Sequence, residues 1–208
     1  MIGNLNLGGG LTVRKISRKQ APVSWTLRNR MRPAFWLGWM AVQMARLLTR
    51  VTGIPTLTSQ LAIRHRHKGQ WTDYGVVGYR VITTVGVGFI VDAWQNLVEM
   101  ENMKYHGCGT GNTAEASGDT ALVTESTTAL NPDSTRATGT QTEPSSVSLK
   151  STGTALFDAT AAIVEHGLFS QAATGGGVLF DRTVFAAINV VSGDSIQFDY
   201  TVTLSAGG

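Results

Sequence analysis

Apolar and polar residues alternate most regularly near the C-terminal end of the chain. Ile196, Phe198, Tyr200, Val202 and Leu204 interleave there with Ser195, Gln197, Asp199, Thr201 and Thr203. A period of two sends one set to each face, which predicts a half-buried antiparallel strand. Three earlier runs, Val147 to Phe157, Ile163 to Ser170 and Val178 to Ile188, have strand composition. They are punctuated by turn chemistry such as Gly175-Gly176-Gly177 and Ser192-Gly193-Asp194. Tyr105 to Gly111 reads as extended, and Asn112 to Ser146, rich in Thr, Ser, Gly, Asn and Asp, as loop, with a strand predicted for Thr135 to Thr142. Short strands in succession without a helix between them predict an antiparallel β-sandwich or a jelly-roll-like domain.

The first half has a different period. Pro33 suits the first turn of a helix that runs to Val51, with Gly53 and Pro55 as stop signals. Phe89, Ile90, Ala93, Trp94, Leu97 and Val98 fall on one helical face and predict an amphipathic helix near residues 87–98. Gly78 to Val85 suits a strand, and Thr56 to Gly69 a strand or extended piece ending in the basic run Arg64-His65-Arg66-His67-Lys68. Residues 1–31 show no helical apolar face and read as extended, with backbone freedom at Gly8, Gly9 and Gly10.

Charge divides the chain along the same line. The net charge of +3 is an uninformative total, although 15% charged residues is thin against the roughly 25% of ordinary soluble domains. Residues 1–103 nevertheless hold 13 basic and 4 acidic side chains, and residues 104–208 hold 4 and 10. All five tryptophans and all six methionines lie in the first half. The chain therefore divides into an extended basic N-terminal arm with a short amphipathic helix (1–74) and an antiparallel β-domain that includes the helix near 87–98 (75–208). The most apolar window, Pro33 to Ala45, is 13 residues long. That is short of the roughly 18–20 a bilayer crossing needs, so the expectation is no membrane span and an amphipathic helix packed on another protein. No secretory signal pattern is apparent.

The residue types that usually carry chemistry do not combine here. His106 and Cys108 share one side of a strand, but no third group orients a nucleophile pair, and a buried structural thiol is expected. Gly107-Cys108-Gly109-Thr110-Gly111 has the glycines of a phosphate loop without its lysine or third fingerprint glycine. A Gly-rich bend at a sheet edge is expected instead. His65 and His67 have metal-ligand spacing but stand among Arg64, Arg66 and Lys68, which favours a basic contact patch. The acids of the second half are scattered singly, and no acid/base pair stands out. The expectation is a non-enzyme with no catalytic group, cofactor or metal.

The cations and aromatics of the first half read as a docking arm. Its contacts are Arg14, Lys15, Arg18, Lys19, Trp25, Arg28, Arg30, Arg32, Trp36, Trp39, Arg64, Arg66 and Trp71. Nucleic acid is a less favoured partner, because the charge is spread over about a hundred residues without a recognisable motif.

Residues 75–208 resemble small β-rich virion proteins of tailed bacteriophages. The resemblance rests on the run from His106 to Ala116, on Asp119-Thr120-Ala121-Leu122 and Glu125, on Glu165-His166-Gly167-Leu168-Phe169, and on Ser192-Gly193-Asp194-Ser195-Ile196. It implies a non-enzymatic capsid cement or decoration protein in the virion, bound to the major capsid protein, and a homo-oligomer (dimer or trimer). The alternatives are a tail, neck or fibre component, separable by copy number per particle, and an internal DNA-binding virion protein.

Overall fold

The computed structural model describes residues 4–7, 11–14, 19–79 and 81–205, with backbone alone for 4–7, 11–14 and Val81. The glycines at 8–10 and the cations Lys15 and Arg18 lie outside the described residues, as does the side chain of Arg14. The fold is mixed α/β and mostly strands. Two open sheets carry three α-helices among the described residues, and β1 (Asn4–Leu7) and β2 (Leu11–Arg14) pair as a separate antiparallel hairpin.

The larger sheet has the order β3-β5-β4-β13-β10-β9, built from β3 (Lys19–Gln20), β4 (Thr56–His67), β5 (Gln70–Tyr79), β9 (Thr140–Ser145), β10 (Ser148–Leu156) and β13 (Ser195–Ser205). The smaller has the order β6-β12-β11-β7-β8, from β6 (Val81–Ile82), β7 (Tyr105–Gly109), β8 (Ala137–Thr138), β11 (Ala161–Phe169) and β12 (Leu179–Val190). Their main shared core joins Leu61, Ile63 and Val77 of the larger sheet, with Ile196 and Phe198, to Ile163, Phe185 and Ile188 of the smaller. Along β13 the predicted period is present: Ile196, Phe198, Tyr200 and Val202 are buried, whereas Leu204, near the end of the strand, is exposed.

Three expectations change. Residues 56–74, expected as arm, are sheet: β4 pairs with β13 from Thr56 to Arg66 and with β5 on its other side. The two strands cross residue 74 as one hairpin, turned by Lys68 and Gly69 at positive φ. Nor is the chain before Met31 extended throughout, because α1 (Val23–Arg30) lies against the smaller sheet. The third helix, α3 (Thr84–Trp94), begins and ends earlier than its apolar period suggests. Thr83 starts it, its hydroxyl oxygen accepting the Gly86 N–H at 2.9 Å while donating to the Leu179 carbonyl at 2.5 Å. Asn96, at φ 58°, closes it, so Leu97 and Val98 lie beyond the helix.

Helix α1 owes its place to a sheet edge. β12 pairs with β6 only at Asp181 and Arg182, so that on this side, away from β11, the backbone from Phe185 to Ala187 has no neighbouring strand. Trp25 Nε1 donates to the Ala187 carbonyl at 2.9 Å, and Asn29 Oδ1 accepts the Ala186 N–H at 2.9 Å. Asn29 Nδ2 also donates to Val77 of β5 at 2.8 Å, tying the two sheets together. One helical turn separates Trp25 from Asn29, so a single face of α1 covers an edge that would otherwise invite pairing with another chain.

Helix α2 (Pro33–Thr52) matches its expected start and stop, with Gly53 at φ 71° as its C-cap. Its orientation is unusual. The face turned to the protein is mostly small, with Gly38, Val42, Ala45 and Thr49 beside the half-buried Phe35. Val42 and Thr49 are its only buried residues.

Candidate interaction surface

Two ion pairs within the second half hold down the polar segment 110–136. Glu165 of β11 and Arg182 of β12 lie diagonally across the strand pair, where Glu165 faces Val184 and Arg182 faces Gly167, and they meet at 2.8 Å, both without solvent exposure. Glu165 Oε1 accepts the N–H groups of Gly111 at 3.0 Å and Thr124 at 2.8 Å, and Oε2 accepts that of Val123 at 3.1 Å. Arg182 also donates to Asp119 at 3.0 Å and to the Thr113 carbonyl at 3.0 Å. The second pair is bidentate: Arg136 meets Glu125 at 2.6 and 3.0 Å, donates to the carbonyls of Gln171 and Gly176, and lies 3.5 Å over the Phe169 ring.

The glycines of the 107–111 run serve this arrangement. They lie within and just beyond β7, inside the sheet, not in an edge bend as expected. A Cβ on Gly109 would collide with the Thr124 carbonyl, and one on Gly111 would stand 2.6 Å from Glu165 Oε1. Glycine here lets the 122–126 segment lie directly along the strand. No phosphate-binding role is needed to explain it.

The histidines and the thiol are equally enclosed. His106 Nδ1 lies 3.0 Å from His166 Nε2, and His106 Nε2 lies 2.9 Å from Ser151 Oγ. This has the outline of a serine–histidine relay. All three residues are at most 1% exposed, however, so no substrate reaches Ser151. Cys108 is fully buried; burial, with the carboxylates of Glu125 and Glu165 nearby, pushes its thiol far above the ordinary range and keeps it un-ionised.

His65 Nε2 and His67 Nδ1 both point at Asp194, at 3.1 and 2.8 Å, and Asp194 Oδ2 also accepts the Val191 N–H at 3.1 Å. Burial alone would raise the Asp194 carboxyl, but the Val191 N–H and the two imidazoles outweigh it and hold the group below its usual range. The basic-patch expectation therefore fits the exposed Arg66 and Lys68 but not the two histidines, which staple β4 to the turn before β13. Among the described residues no group of three or more His, Cys, Asp or Glu is arranged to hold a metal ion.

What remains on the outside is apolar and helical. On α2, Trp36, Leu37, Met40, Met44, Leu47 and Val51 range from 52% to 75% exposed. At about 100° per residue they fill an arc of roughly 100°, opposite the small-residue face that touches the sheet. Beneath the helix an open cleft of about 620 Å³ runs between Leu37, Ala41 and Ala45 and the strand residues Leu57 and Tyr79. A second apolar stripe follows α3, where Val87, Val91, Trp94 and the adjoining Leu97 are exposed, Trp94 at 81%. Contiguous exposed apolar surface of this extent is uncommon on monomers and marks an interaction site.

The two stripes carry opposite charge. No acidic residue precedes Asp73, and Arg28, Arg30, Arg46 and Arg50 stand exposed on α1 and α2. Between residues 81 and 103 the only charges are Asp92, Glu99 and Glu101, all exposed. No helix among the described residues is long and apolar enough to cross a membrane.

The residues expected to make the arm's contacts separate accordingly. Trp36 and Trp39 are exposed on α2, and Arg28, Arg30, Lys19 and Arg66 also face outward. Trp25 is not available to a partner, being 6% exposed with its ring edge-on to Tyr74 at 4.6 Å. Arg32 is half-buried and reaches the Phe185 carbonyl at 3.4 Å. Arg64 is half-buried between Asp199, at 3.6 Å, and the half-buried ring of Trp71. The α3 stripe was missed as a surface because its period reads as a buried face. Comparison with protein families, curated proteins and solved structures finds no match.

Proposed function

We propose that this chain is a non-enzymatic structural protein of a tailed-bacteriophage virion, a cement or decoration protein bound to the major capsid protein, with its two packed sheets acting as a β-sandwich platform. The observation that carries this reading is the acid-free stretch before Asp73, which presents exposed arginines and an outward apolar helix. A surface with that chemistry suits an acidic, apolar-lined protein partner. The enclosed histidines, serine and thiol favour assembly over catalysis, since each is occupied in holding the fold. The phage assignment itself rests on the resemblance of residues 75–208.

The test is removal of residues 1–18 together with Arg28→Glu and Arg30→Glu, changes that leave every element from β3 onward in place. A deletion through residue 70 would instead take away α1 and β4. Purified particles carrying the variant are expected to lose most of this protein by quantitative gel and to disrupt at lower temperature. Wild-type occupancy with unchanged particle stability would overturn the proposal.

A further inference from the structure

The geometry points to self-association in which the apolar face of α2 in one copy packs on the α3 stripe of a second copy. Two observations choose that occupant. The faces match chemically, each an exposed apolar helix stripe with an aromatic anchor, Trp36 on α2 and Trp94 on α3. They also match electrostatically. Arg46 and Arg50 lie exposed on α2, which carries no acidic residue, and Asp92, Glu99 and Glu101 lie exposed on α3 and just after it, with no basic residue between 81 and 103. Pairing α2 with α2 would set arginine against arginine. Pairing α3 with α3 would set carboxylate against carboxylate. Only the mixed pairing buries both apolar faces and brings opposite charges together.

The area is sufficient. Side chains of this size at half exposure or more offer about 100 Å² each, so each copy contributes roughly 1,000 Å² over the two faces, against about 800 Å² per partner in a standard stable interface. A pair in which each α2 meets the other's α3 is isologous, buries both faces of both copies in one interface and closes as a dimer. The inference goes beyond the capsid reading and does not depend on it, since it is tested on purified protein alone.

The experiment is sedimentation or light scattering of the full chain across a concentration series, with circular dichroism as a check on folding. Wild type is expected to be oligomeric at micromolar concentration. Arg46→Glu/Arg50→Glu and, separately, Asp92→Lys/Glu99→Lys/Glu101→Lys are each expected to weaken association at least tenfold. Mixing the two variants restores both complementary contacts in the mixed pair, and combining all five changes in one chain restores them between identical copies. Trp94→Ala removes an 81% exposed side chain without a cost to folding and is expected to raise the dissociation constant at least tenfold. A monomeric wild type overturns the inference. So does an α3 variant that associates normally, which would indicate homotypic α2 pairing, or charge reversals that weaken association without rescuing each other.

Discussion

Replacing Glu165 with Gln tests the claim that one buried carboxylate organises the polar half of the chain. The substitution keeps the shape and removes the charge. An amide offers a single acceptor oxygen where the carboxylate has two. With that oxygen in the Oε1 position, the NH₂ group confronts the Val123 N–H and the Arg182 guanidinium; turned round, it confronts the Gly111 and Thr124 N–H groups. Either way at least two buried donors lose their acceptor, at about 1–3 kcal/mol each. Arg182, with no solvent exposure, also loses its fully buried counter-charge. The two effects overlap, and breaking one side of a buried pair costs about 3–5 kcal/mol in total, a large share of the roughly 5–15 kcal/mol that stabilises a domain. Urea unfolding reads the loss as a shift in midpoint at constant slope. Hydrogen exchange locates it, with protection falling first at the amides of Gly111, Val123 and Thr124. A double-mutant cycle with Arg182→Met is expected to show coupling of at least about 1 kcal/mol. A loss below about 1 kcal/mol, or unchanged protection at those three amides, would refute the reasoning.

Trp25→Ala is expected to cost about 3–5 kcal/mol and to promote aggregation through the uncovered β12 edge, whereas Trp36→Ala on the outer face of α2 should stay within about 0.5 kcal/mol in unfolding experiments on the dissociated protein. Asp194 has a folded-state carboxyl below its ordinary range, so its stabilisation is present above about pH 4 and disappears as pH falls through the lower folded value. The unfolding midpoints of wild type and Asp194→Asn should accordingly differ at neutral pH and converge in acid. Cys108 should resist a thiol-specific reagent in the native protein and react fully in denaturant; rapid labelling of the folded chain would contradict its burial. Gly38→Ala should destabilise despite the roughly 1 kcal/mol that alanine gains in a helix, because the new Cβ would lie 2.9 Å from Tyr79 Cβ.

The strands of the C-terminal half were legible because a period of two along β13, and strong turn residues around β10, β11 and β12, are local signals. Contacts between distant segments were not. Glu165, Arg182, Glu125 and Arg136 read as scattered charges, since 17 and 11 residues of chain separate the members of the two pairs and nothing in their spacing marks them as partners. Helix α1 was missed for a related reason. Its inward face consists of one tryptophan and one asparagine, and the asparagine's value lies in replacing strand hydrogen bonds at the β12 edge, which no apolar period can display. The arm reading of residues 56–74 followed charge, whereas β4 is an interior strand that places Arg64 and Arg66 on one face of the sheet and Leu61 and Ile63, in the core, on the other.

Helix α2 shows where a correct element still misleads about function. Its limits were readable from Pro33 and Gly53, and an amphipathic helix is normally assumed to turn its large apolar residues inward. Here the helix backbone approaches Tyr79 closely at Gly38, beside the half-buried Phe35, whose ring meets that of Tyr79 edge-on at 5.6 Å, and a bulky residue at position 38 would lift the helix from the sheet. Close approach demands small residues inside and leaves Trp36, Leu37, Met40 and Met44 for the outside. Burying six large apolar side chains at about 1.5–3 kcal/mol each would be a substantial gain for a free monomer, and the chain forgoes it. The same side chains are positioned to contribute when a second surface arrives. The oppositely charged stripe on α3 is such a surface, carried by every copy.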